Sequence, residues 1–218
     1  MKIPLSDRLM RCAECISGGI RVADIGCDHG YLGIYLLSTG RASSVIAADV
    51  NEGPLQSAMR NALKFGVGET MRFYLSDGAK NIPRDFDALV CAGMGGDTII
   101  HILSDAPWLR GPQYRVVLQC QSKTPMLRKY LSDNGWAIAA ESILQDGKFL
   151  YTIMDVRWQP DEPRLTLGQC YIPPAMAGQP LLQAYRQRII DGLRLAVTHQ
   201  DNPEKQQALQ ELEQEDTL

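Results

Sequence analysis

The sequence has no long apolar run, and it contains few cysteines and histidines, the residues that form disulfide bonds or bind metals. No apolar stretch of the 218 residues approaches the roughly 20 residues that a membrane-spanning helix needs. The first residues, MKIPLSDRLM, lack the apolar core of a signal peptide. The six cysteines are scattered through apolar or turn contexts, as expected of reduced thiols. We therefore expect a cytoplasmic protein without a membrane partner, a disulfide framework or a metal.

The chain also lacks a strong charge of either sign. Its net charge is −3, but residues 201–218 hold six acids against Lys205, so residues 1–200 carry +2. A nucleic-acid-binding domain normally carries a much stronger positive charge. The charge therefore does not establish a nucleic-acid partner, and the acidic total does not argue against one. The length suffices for one sizeable core.

Strand and helix patterns alternate along the first 158 residues. Five apolar runs are typical of strands, at 20–25, 44–49, 71–75, 86–92 and 114–119. Helical patterns follow at 31–37 and 54–65, from a candidate cap at Asp97, and over 125–135. Residues 136–158 indicate a hairpin around Asp146 and Gly147. This order predicts a mainly parallel α/β sheet, covered on both faces, with an antiparallel edge.

The amino-acid composition changes after Trp158. Residues 159–180 contain five prolines, which indicates a linker or a loop lying on the domain. Residues 181–199 predict an amphipathic helix, and a second, acidic helix from Pro203 could fold back on it. The chain is thus predicted to hold a domain at 1–158, a linker at 159–180 and a helical hairpin at 181–218. The arginines of the first hairpin helix form either a solvated face or an RNA groove.

The junction ADIGCDHGYLGIYL, residues 23–36, places glycines and acids between a strand and a helix. Ligands of open parallel sheets bind beyond the carboxyl ends of the strands. The run does not contain the G-x-G-x-x-G dinucleotide signature, and Asp28 stands where a pyrophosphate would approach, which disfavours NAD. Asp49 ends the second strand, where it could accept ribose hydroxyls, and Asp77 follows the third, where it could accept an adenine amino group. A ligand with an ammonium, ribose and adenine but no phosphate fits: S-adenosylmethionine.

These residues carry a family resemblance. ADIGCDHGYLGIYL, ADVNEGPLQSA, LSDGAKNIP, CAGMGGDTI, LQCQ, LRKYLSDNGW and LQDGKFLYTIMDV occur in order between about Leu5 and Val156. They closely resemble the bacterial tRNA adenine-N1 methyltransferases that modify position 22 in the tRNA D-arm. The resemblance implies a Rossmann-like class I methyltransferase domain with a seven-stranded sheet and a C-terminal helical hairpin. It also implies S-adenosyl-L-methionine as the cofactor and tRNA as the substrate, in a monomer or weak homo-oligomer.

The same resemblance implies three groups of site residues. The expected cofactor-binding residues are Asp24, Gly26, Asp28, His29, Gly30, Tyr31, Asp49, Val50, Asn51, Asp77, Gly78 and Gly93. The expected target-base pocket is formed by Gly93, Met94, Gly95, Gly96, Gln119 and Gln121. The expected contacts to RNA are Arg8, Arg186, Arg188 and Arg194, where Arg8 could instead bind the cofactor carboxylate. No general base is assigned, because adenine N1 already carries a nucleophilic lone pair.

The sequence departs from the family at two places and leaves alternatives open. The family usually has serine at Cys27, and a Pro-Asn pair at Cys120 and Gln121. His29 near Cys27 could bind a metal or simply occupy a turn. Cys12 and Cys15 could form half of a redox or zinc site, or be small buried thiols. The chain could also be a cofactor- or RNA-binding module without turnover, or act on another RNA.

Overall fold

The computed structural model describes residues 2–199 and 201–215 as one seven-stranded sheet flanked by helices. The strands are β1 (Ile20–Ile25), β2 (Ala42–Asp49), β3 (Met71–Leu75), β4 (Ala88–Gly95), β5 (Arg115–Ser122), β6 (Trp136–Asp146) and β7 (Phe149–Trp158). The helices are α1 (Asp7–Glu14), α2 (Tyr31–Ser38), α3 (Glu52–Lys64), α4 (Gly96–Asp105), α5 (Thr124–Asp133), α6 (Leu167–Tyr171), α7 (Leu182–His199) and α8 (Pro203–Glu215). Within these residues no helix is both long and apolar enough to cross a bilayer.

The strand order is β3-β2-β1-β4-β5-β7-β6. The first five strands in this order pair in parallel, and β7 runs antiparallel to both β5 and β6. The predicted mainly parallel sheet with an antiparallel edge is therefore confirmed. Because the chain passes from β1 outward to β2 and β3 and then returns to place β4 on the other side of β1, a crevice forms between β1 and β4.

Side chains of the central strands alternate between two apolar layers. Val22 of β1 packs in the layer formed with α1, α2 and α3. Its neighbour Ala23 packs in the layer formed with α4 and α5, which includes Ile99 and Leu127. This period of two follows from the pleat of the strand. The near-continuous apolar runs seen in the sequence thus reflect strands that are buried on both faces.

Several element boundaries differ from those expected, most clearly at the ends of β4 and β5 and at the start of α4. The fourth and fifth strands continue past 92 and 119, because Met94 pairs with Cys120 and Gly95 with Ser122 through register shifts. The expected cap role of Asp97 is wrong. The residue preceding α4 is Gly95, and Asp97 lies in the first turn, where its carboxylate is 2.5 Å from Nζ of Lys123.

The segment 159–180 is more ordered than its prolines suggest. It contains α6, which begins with a reciprocal capping box between Thr166 and Gln169, and a short 3-10 turn at Pro174–Met176. Gly168 of α6 donates its N–H to Glu211 of α8 at 2.6 Å. The predicted helical hairpin is observed as α7 and α8, and the rest of that prediction, residues 200 and 216–218, lies outside the described residues.

A third apolar cluster seats the hairpin on the edge of the sheet. It joins β6 to the segment after α6 and to both hairpin helices, through Ile143, Ile172, Met176, Tyr185 and Leu212, all buried. Apolar burial of this kind is the main stabilising contribution to a packed interface. The hairpin is therefore packed against the sheet rather than tethered beside it.

Arg128 on α5 lies at the centre of a buried polar network that crosses this junction. Its guanidinium forms a bidentate pair with Glu141 of β6 at 2.7 and 3.2 Å, and both side chains are fully buried. It also donates to the carbonyls of Cys170 and Tyr171 and to the hydroxyl of Tyr185. Burial opposes the charge, but Glu141 and Tyr185 outweigh it and hold the pKa of Arg128 above its usual range.

Candidate active site

A cavity of about 420 Å³ opens at the crevice between β1 and β4, and we call it the switch-point cavity. It lies where the topology predicts a ligand site, beyond the carboxyl ends of the parallel strands. Its lining comes from the turn after β1, the ends of β4 and β5, and the start of α1. The lining residues are Ser6, Arg8, Leu9, Asp24, Gly26, Cys27, Asp28, His29, Tyr31, Leu32, Ala92, Gly93, Met94, Gln119 and Gln121.

Asp24 of β1 lines this cavity and carries a buried carboxylate oxygen without a partner in the part of the chain that the structure describes. The residue is only 3% exposed, and its Oδ2 has no hydrogen-bond partner among the described residues. Burial raises the pKa of Asp24 to about 7, and the carboxylate of Asp49 adds to the rise, while the backbone N–H of Gly33 partly offsets it. A buried carboxylate without a partner is costly until a cation or a donor reaches it. The Asp24 carboxylate is therefore suited to a cationic group of a ligand.

Asp49 holds together the loops that follow β1 and β2. Its Oδ2 accepts the backbone N–H of Asp28 at 3.1 Å, and its Oδ1 accepts that of Asn51 at 2.9 Å. The first bond restrains Asp28 in a left-handed conformation with φ of +49°, which is uncommon outside glycine. Asp49 is buried and lies beside the cavity lining, so its direct observed role is to shape the loops.

The glycines of the first turn adopt a left-handed backbone conformation and lie close to neighbouring side chains. At Gly26 a Cβ atom would lie 2.1 Å from the methyl group of Met94, and at Gly30 it would lie 2.9 Å from Cβ of Ala58. Both glycines also have φ of +72°. The turn can therefore lie flat against β4 on one side and α3 on the other.

The structure brings only part of the expected cofactor set to the cavity. Those that line it are Asp24, Gly26, Asp28, His29, Tyr31 and Gly93, whereas those outside its lining are Gly30, Asp49, Val50, Asn51, Asp77 and Gly78. His29 and Asp28 are exposed at the mouth, with Nε2 of His29 3.7 Å from the Asp28 carboxylate.

Asp77 lies in a separate exposed cluster. Its carboxylate is 2.6 Å from Nζ of Lys80 and 3.8 Å from the ring of His101, and the Lys80 hydrogen bond is the main cause of its lowered pKa. Lys80 also pairs with Asp105 at 2.9 Å. Asp77, His101 and Asp105 are close enough to share a metal ion, but the ammonium of Lys80 already pairs with both carboxylates. The neighbouring Gly78 packs against Ile102 of α4.

The expected target-base residues separate into two groups. Gly93, Met94, Gln119 and Gln121 line the cavity, and Gly95 and Gly96 lie outside its lining. At Gly96, which begins α4, a Cβ atom would lie 2.9 Å from the carbonyl oxygen of Lys123, so this glycine serves helix packing.

Gln119 and Gln121 occupy different positions although only one residue separates them. Gln119 is buried, accepts the N–H of Gly93 at 3.0 Å through Oε1 and donates to the carbonyl of Cys120 at 3.0 Å. Gln121 is exposed at the rim of the cavity. A Cβ on Gly93 would lie 3.5 Å from its Nε2. Gln119 therefore positions the Gly93 turn, and Gln121 offers an amide to a ligand.

The expected RNA contacts also differ from one another. Arg8 lines the cavity, with Nε 3.0 Å from Asp146 and its guanidinium 4.7 Å from the ring centre of Tyr151. Arg186 donates to the carbonyl of Leu212, and Arg194 pairs with Glu213 at 2.7 Å, so both connect the two hairpin helices.

Arg188, the third hairpin arginine, turns toward the sheet. Its Nη1 donates to the carbonyl of Lys148 at 3.0 Å, and its guanidinium lies 5.6 Å from the ring centre of Phe149. The sequence patterns did not single out Phe149, nor Ser6 and Leu9 at the cavity. An aromatic residue directly after the Asp146–Lys148 turn was the available signal for Phe149.

Comparison with known proteins identifies the family to which this chain belongs. Residues 5–154 match a family described as a methyltransferase domain. The chain belongs to this methyltransferase family. The methyltransferase is 34% identical over 154 residues to the tRNA (adenine(22)-N(1))-methyltransferase of Bacillus subtilis strain 168, a match covering 70% of this chain and 65% of that protein. The resemblance and the fold predicted from the motifs are confirmed.

Solved structures agree over nearly the whole chain. The B. subtilis M1A22 tRNA methyltransferase TrmK is 27% identical with a TM-score of 0.79, and the match covers 98% of this chain and 96% of that one. A Streptococcus pneumoniae protein solved in complex with S-adenosyl-L-methionine is 31% identical with a TM-score of 0.83, over 95% and 99% of the two chains. The methyltransferase spans 60–65% of the length of three curated relatives that it matches.

Proposed function

We propose that this methyltransferase transfers a methyl group from S-adenosyl-L-methionine to N1 of adenine 22 in the D-arm of tRNA. The observation that carries the proposal is the buried, incompletely paired carboxylate of Asp24, a residue that lines the switch-point cavity of a methyltransferase sheet. The similarity to tRNA (adenine(22)-N(1))-methyltransferases and to a structure with this cofactor bound supports it.

The cavity fits the cofactor in charge. The ammonium group of an amino acid would complete the coordination of Asp24, which otherwise bears the cost of an unpaired buried carboxylate. The guanidinium of Arg8 at the same cavity offers a positive charge to the amino-acid carboxylate. Asp49 is proposed to accept the ribose hydroxyls while it maintains the loops that follow β1 and β2. When bound, the cofactor supplies a methyl group activated by its sulfonium.

The target adenine is proposed to enter between the Gly93 turn and Gln121. Gln119 holds the Gly93 backbone by accepting its N–H, and the Gln121 amide can form hydrogen bonds with the polar edge of the base. N1 lies on the Watson–Crick edge, so the adenine must leave its stack or pair before it can react. Because N1 already has a lone pair, positioning in line with the methyl group can supply much of the rate.

The proposal is tested with two transcripts of one tRNA, one with adenine and one with guanine at position 22. Each is incubated with the protein and methyl-labelled cofactor, and the nucleosides are analysed by mass spectrometry. We expect N1-methyladenosine from the adenine transcript and no label from its guanine counterpart. Label on another base or atom would contradict the N1 assignment. Cofactor binding without label in any tRNA would favour a binding module.

Replacing Gln121 with alanine is expected to slow methylation without weakening cofactor binding, because its proposed partner is the base. Loss of one well-placed polar contact costs about 1–3 kcal/mol at the transition state, or roughly a tenfold to hundredfold fall in kcat. Single-turnover kinetics measures the rate, and calorimetry with S-adenosylhomocysteine measures affinity. Gln113→Ala, at an exposed glutamine outside the cavity lining, is the control. A fully active Gln121→Ala protein would remove this residue from the site.

Replacing Asp49 with alanine is expected to weaken cofactor binding about ten- to a hundredfold, since a charge-assisted hydrogen bond is worth about 1.5–3 kcal/mol. The loss combines the proposed ribose contact with the two backbone hydrogen bonds that shape the loops. Calorimetry with S-adenosylhomocysteine measures the affinity. The control is Glu52→Gln, at an exposed acid that begins α3 directly after β2, and this variant should bind the cofactor normally. Unchanged affinity in Asp49→Ala would overturn the ribose assignment.

A further inference from the structure

A second cavity, of about 670 Å³, lies between the sheet and the C-terminal hairpin, and we call it the hairpin cavity. Its walls come from the segment that follows Cys120, from the start of β7 and from α7. Gln121 lines both this cavity and the switch-point cavity. A polymeric ligand that places one of its groups in the switch-point cavity could therefore place the adjoining group in the hairpin cavity.

The hairpin cavity combines aromatic rings with positive charge. Phe149 is 45% exposed although it is a large apolar residue, and its ring centre lies 6.2 Å from that of Tyr151. Lys123, Arg188 and Lys205 also line the cavity, and none of the described residues in its lining is acidic. An exposed aromatic ring flanked by cations is the arrangement with which proteins bind unpaired nucleotides.

Arg188 is oriented for such a role. Its bond to the carbonyl of Lys148 fixes the guanidinium near the Phe149 ring, and Nζ of Lys148 lies 5.4 Å from the same ring centre. One N–H of the guanidinium makes the Lys148 bond, which leaves other donors of the fork for a phosphate oxygen. Arg194, six residues later on the same helix, instead pairs with Glu213 and lines neither cavity.

We propose that the hairpin cavity binds a nucleotide of the tRNA adjoining the target adenine, with its base stacked on Phe149 and its phosphate held by Arg188. The proposal rests on the proposed function and assigns part of the substrate to a separate site. The ring face of Phe149 accepts any base, so the site adds affinity and holds the strand open without reading its sequence. Lys205 of α8 extends the positive wall to the second hairpin helix.

The test compares Phe149→Ala and Arg188→Met with Arg72→Met in the full-length protein, because Arg72 is an exposed arginine of β3 that pairs with Asp85 and lines neither cavity. Fluorescence anisotropy measures the dissociation constant for unmodified tRNA at several salt concentrations, and calorimetry measures S-adenosylhomocysteine affinity. We expect about ten- to a hundredfold weaker tRNA binding in Phe149→Ala, and a salt-dependence slope reduced by about one in Arg188→Met. Both should bind the cofactor normally, and Arg72→Met should match the wild type in every measurement.

Phe149→Tyr keeps a stacking ring and should bind tRNA like the wild type. Comparing it with Phe149→Ala separates the loss of stacking from a loss of the fold. Normal tRNA binding by both Phe149→Ala and Arg188→Met, in a protein whose wild type methylates tRNA, would overturn the hairpin-cavity proposal alone. If the wild type methylates a different RNA, the proposed function fails. The same variants assayed on that RNA then decide separately whether the cavity binds a nucleotide.

Discussion

Replacing Arg128 with methionine is expected to lower the free energy of unfolding by about 3–5 kcal/mol, because it leaves the buried carboxylate of Glu141 without its partner. The carbonyls of Cys170 and Tyr171 and the hydroxyl of Tyr185 would lose a donor at the same time. Urea unfolding followed by tryptophan fluorescence measures the change, since Trp136 lies on the same strand as Glu141.

Arg21→Met is the matched control for this prediction. Arg21 and Asp87 have the same 2.7 Å separation as Arg128 and Glu141, but their side chains are 49% and 39% exposed, so water can replace the lost partner. Exposed pairs contribute little to stability. An unfolding midpoint for Arg128→Met that equals that of Arg21→Met would show that the buried network does not stabilise the fold.

Replacing Asp24 with asparagine is expected to weaken cofactor binding by about a hundredfold or more, since truncating one partner of a buried charge pair costs about 2–5 kcal/mol. The amide keeps the shape of the carboxylate but cannot neutralise an ammonium. Calorimetry with S-adenosylhomocysteine measures the affinity. Asp28→Asn is the control, because its side chain lines the same cavity but is 69% exposed. Equal affinities for the two variants would contradict the assignment of Asp24.

The raised pKa of Asp24 gives this prediction a second signature. Below its pKa of about 7 the carboxyl of the free protein takes up a proton. Wild-type affinity should therefore fall by up to about tenfold per pH unit as the pH is lowered from 7 to about 5.5, whereas Asp24→Asn should lack this component. The free energy of unfolding depends on pH in the opposite sense. Between pH 3.8 and about 7 the Asp24 carboxyl binds a proton in the folded state that it has lost in the unfolded state, so its contribution to stability declines as the pH rises through this range.

The sequence predicted those parts of the fold that depend on local pattern. The parallel strands were recognisable because residues such as Val22 and Ala23 are buried on opposite faces, which leaves continuous apolar runs. The ends of β4 and β5 were not, because pairing of Met94 with Cys120 depends on a register shift between strands distant in the chain. A register shift between two strands produces no periodic pattern in the sequence of either strand.

The site was predictable where the ligand edge of the sheet follows from strand order, as for Asp24 and the Gly26 turn. Side-chain partners were not predictable, because they depend on residues brought together by the fold. Asp77 follows a strand as expected, yet Lys80 and His101 reach its carboxylate. Likewise Arg186 and Arg188 belong to the same set of helix arginines, but one connects the hairpin helices and the other lies near Phe149.

The position of Arg128 also constrains how the chain folds during synthesis. The hydrogen-bond partners of its guanidinium are all made later, ending with the carbonyl of Tyr171 and the hydroxyl of Tyr185. Domains generally fold as they emerge from the ribosome, starting from the N-terminal side. Here the strands β1 to β5 are complete well before Arg128 can be enclosed. A nascent chain that has not yet released α7 lacks the Tyr185 hydroxyl, so the polar network around Arg128 is completed only when the hairpin packs against the sheet.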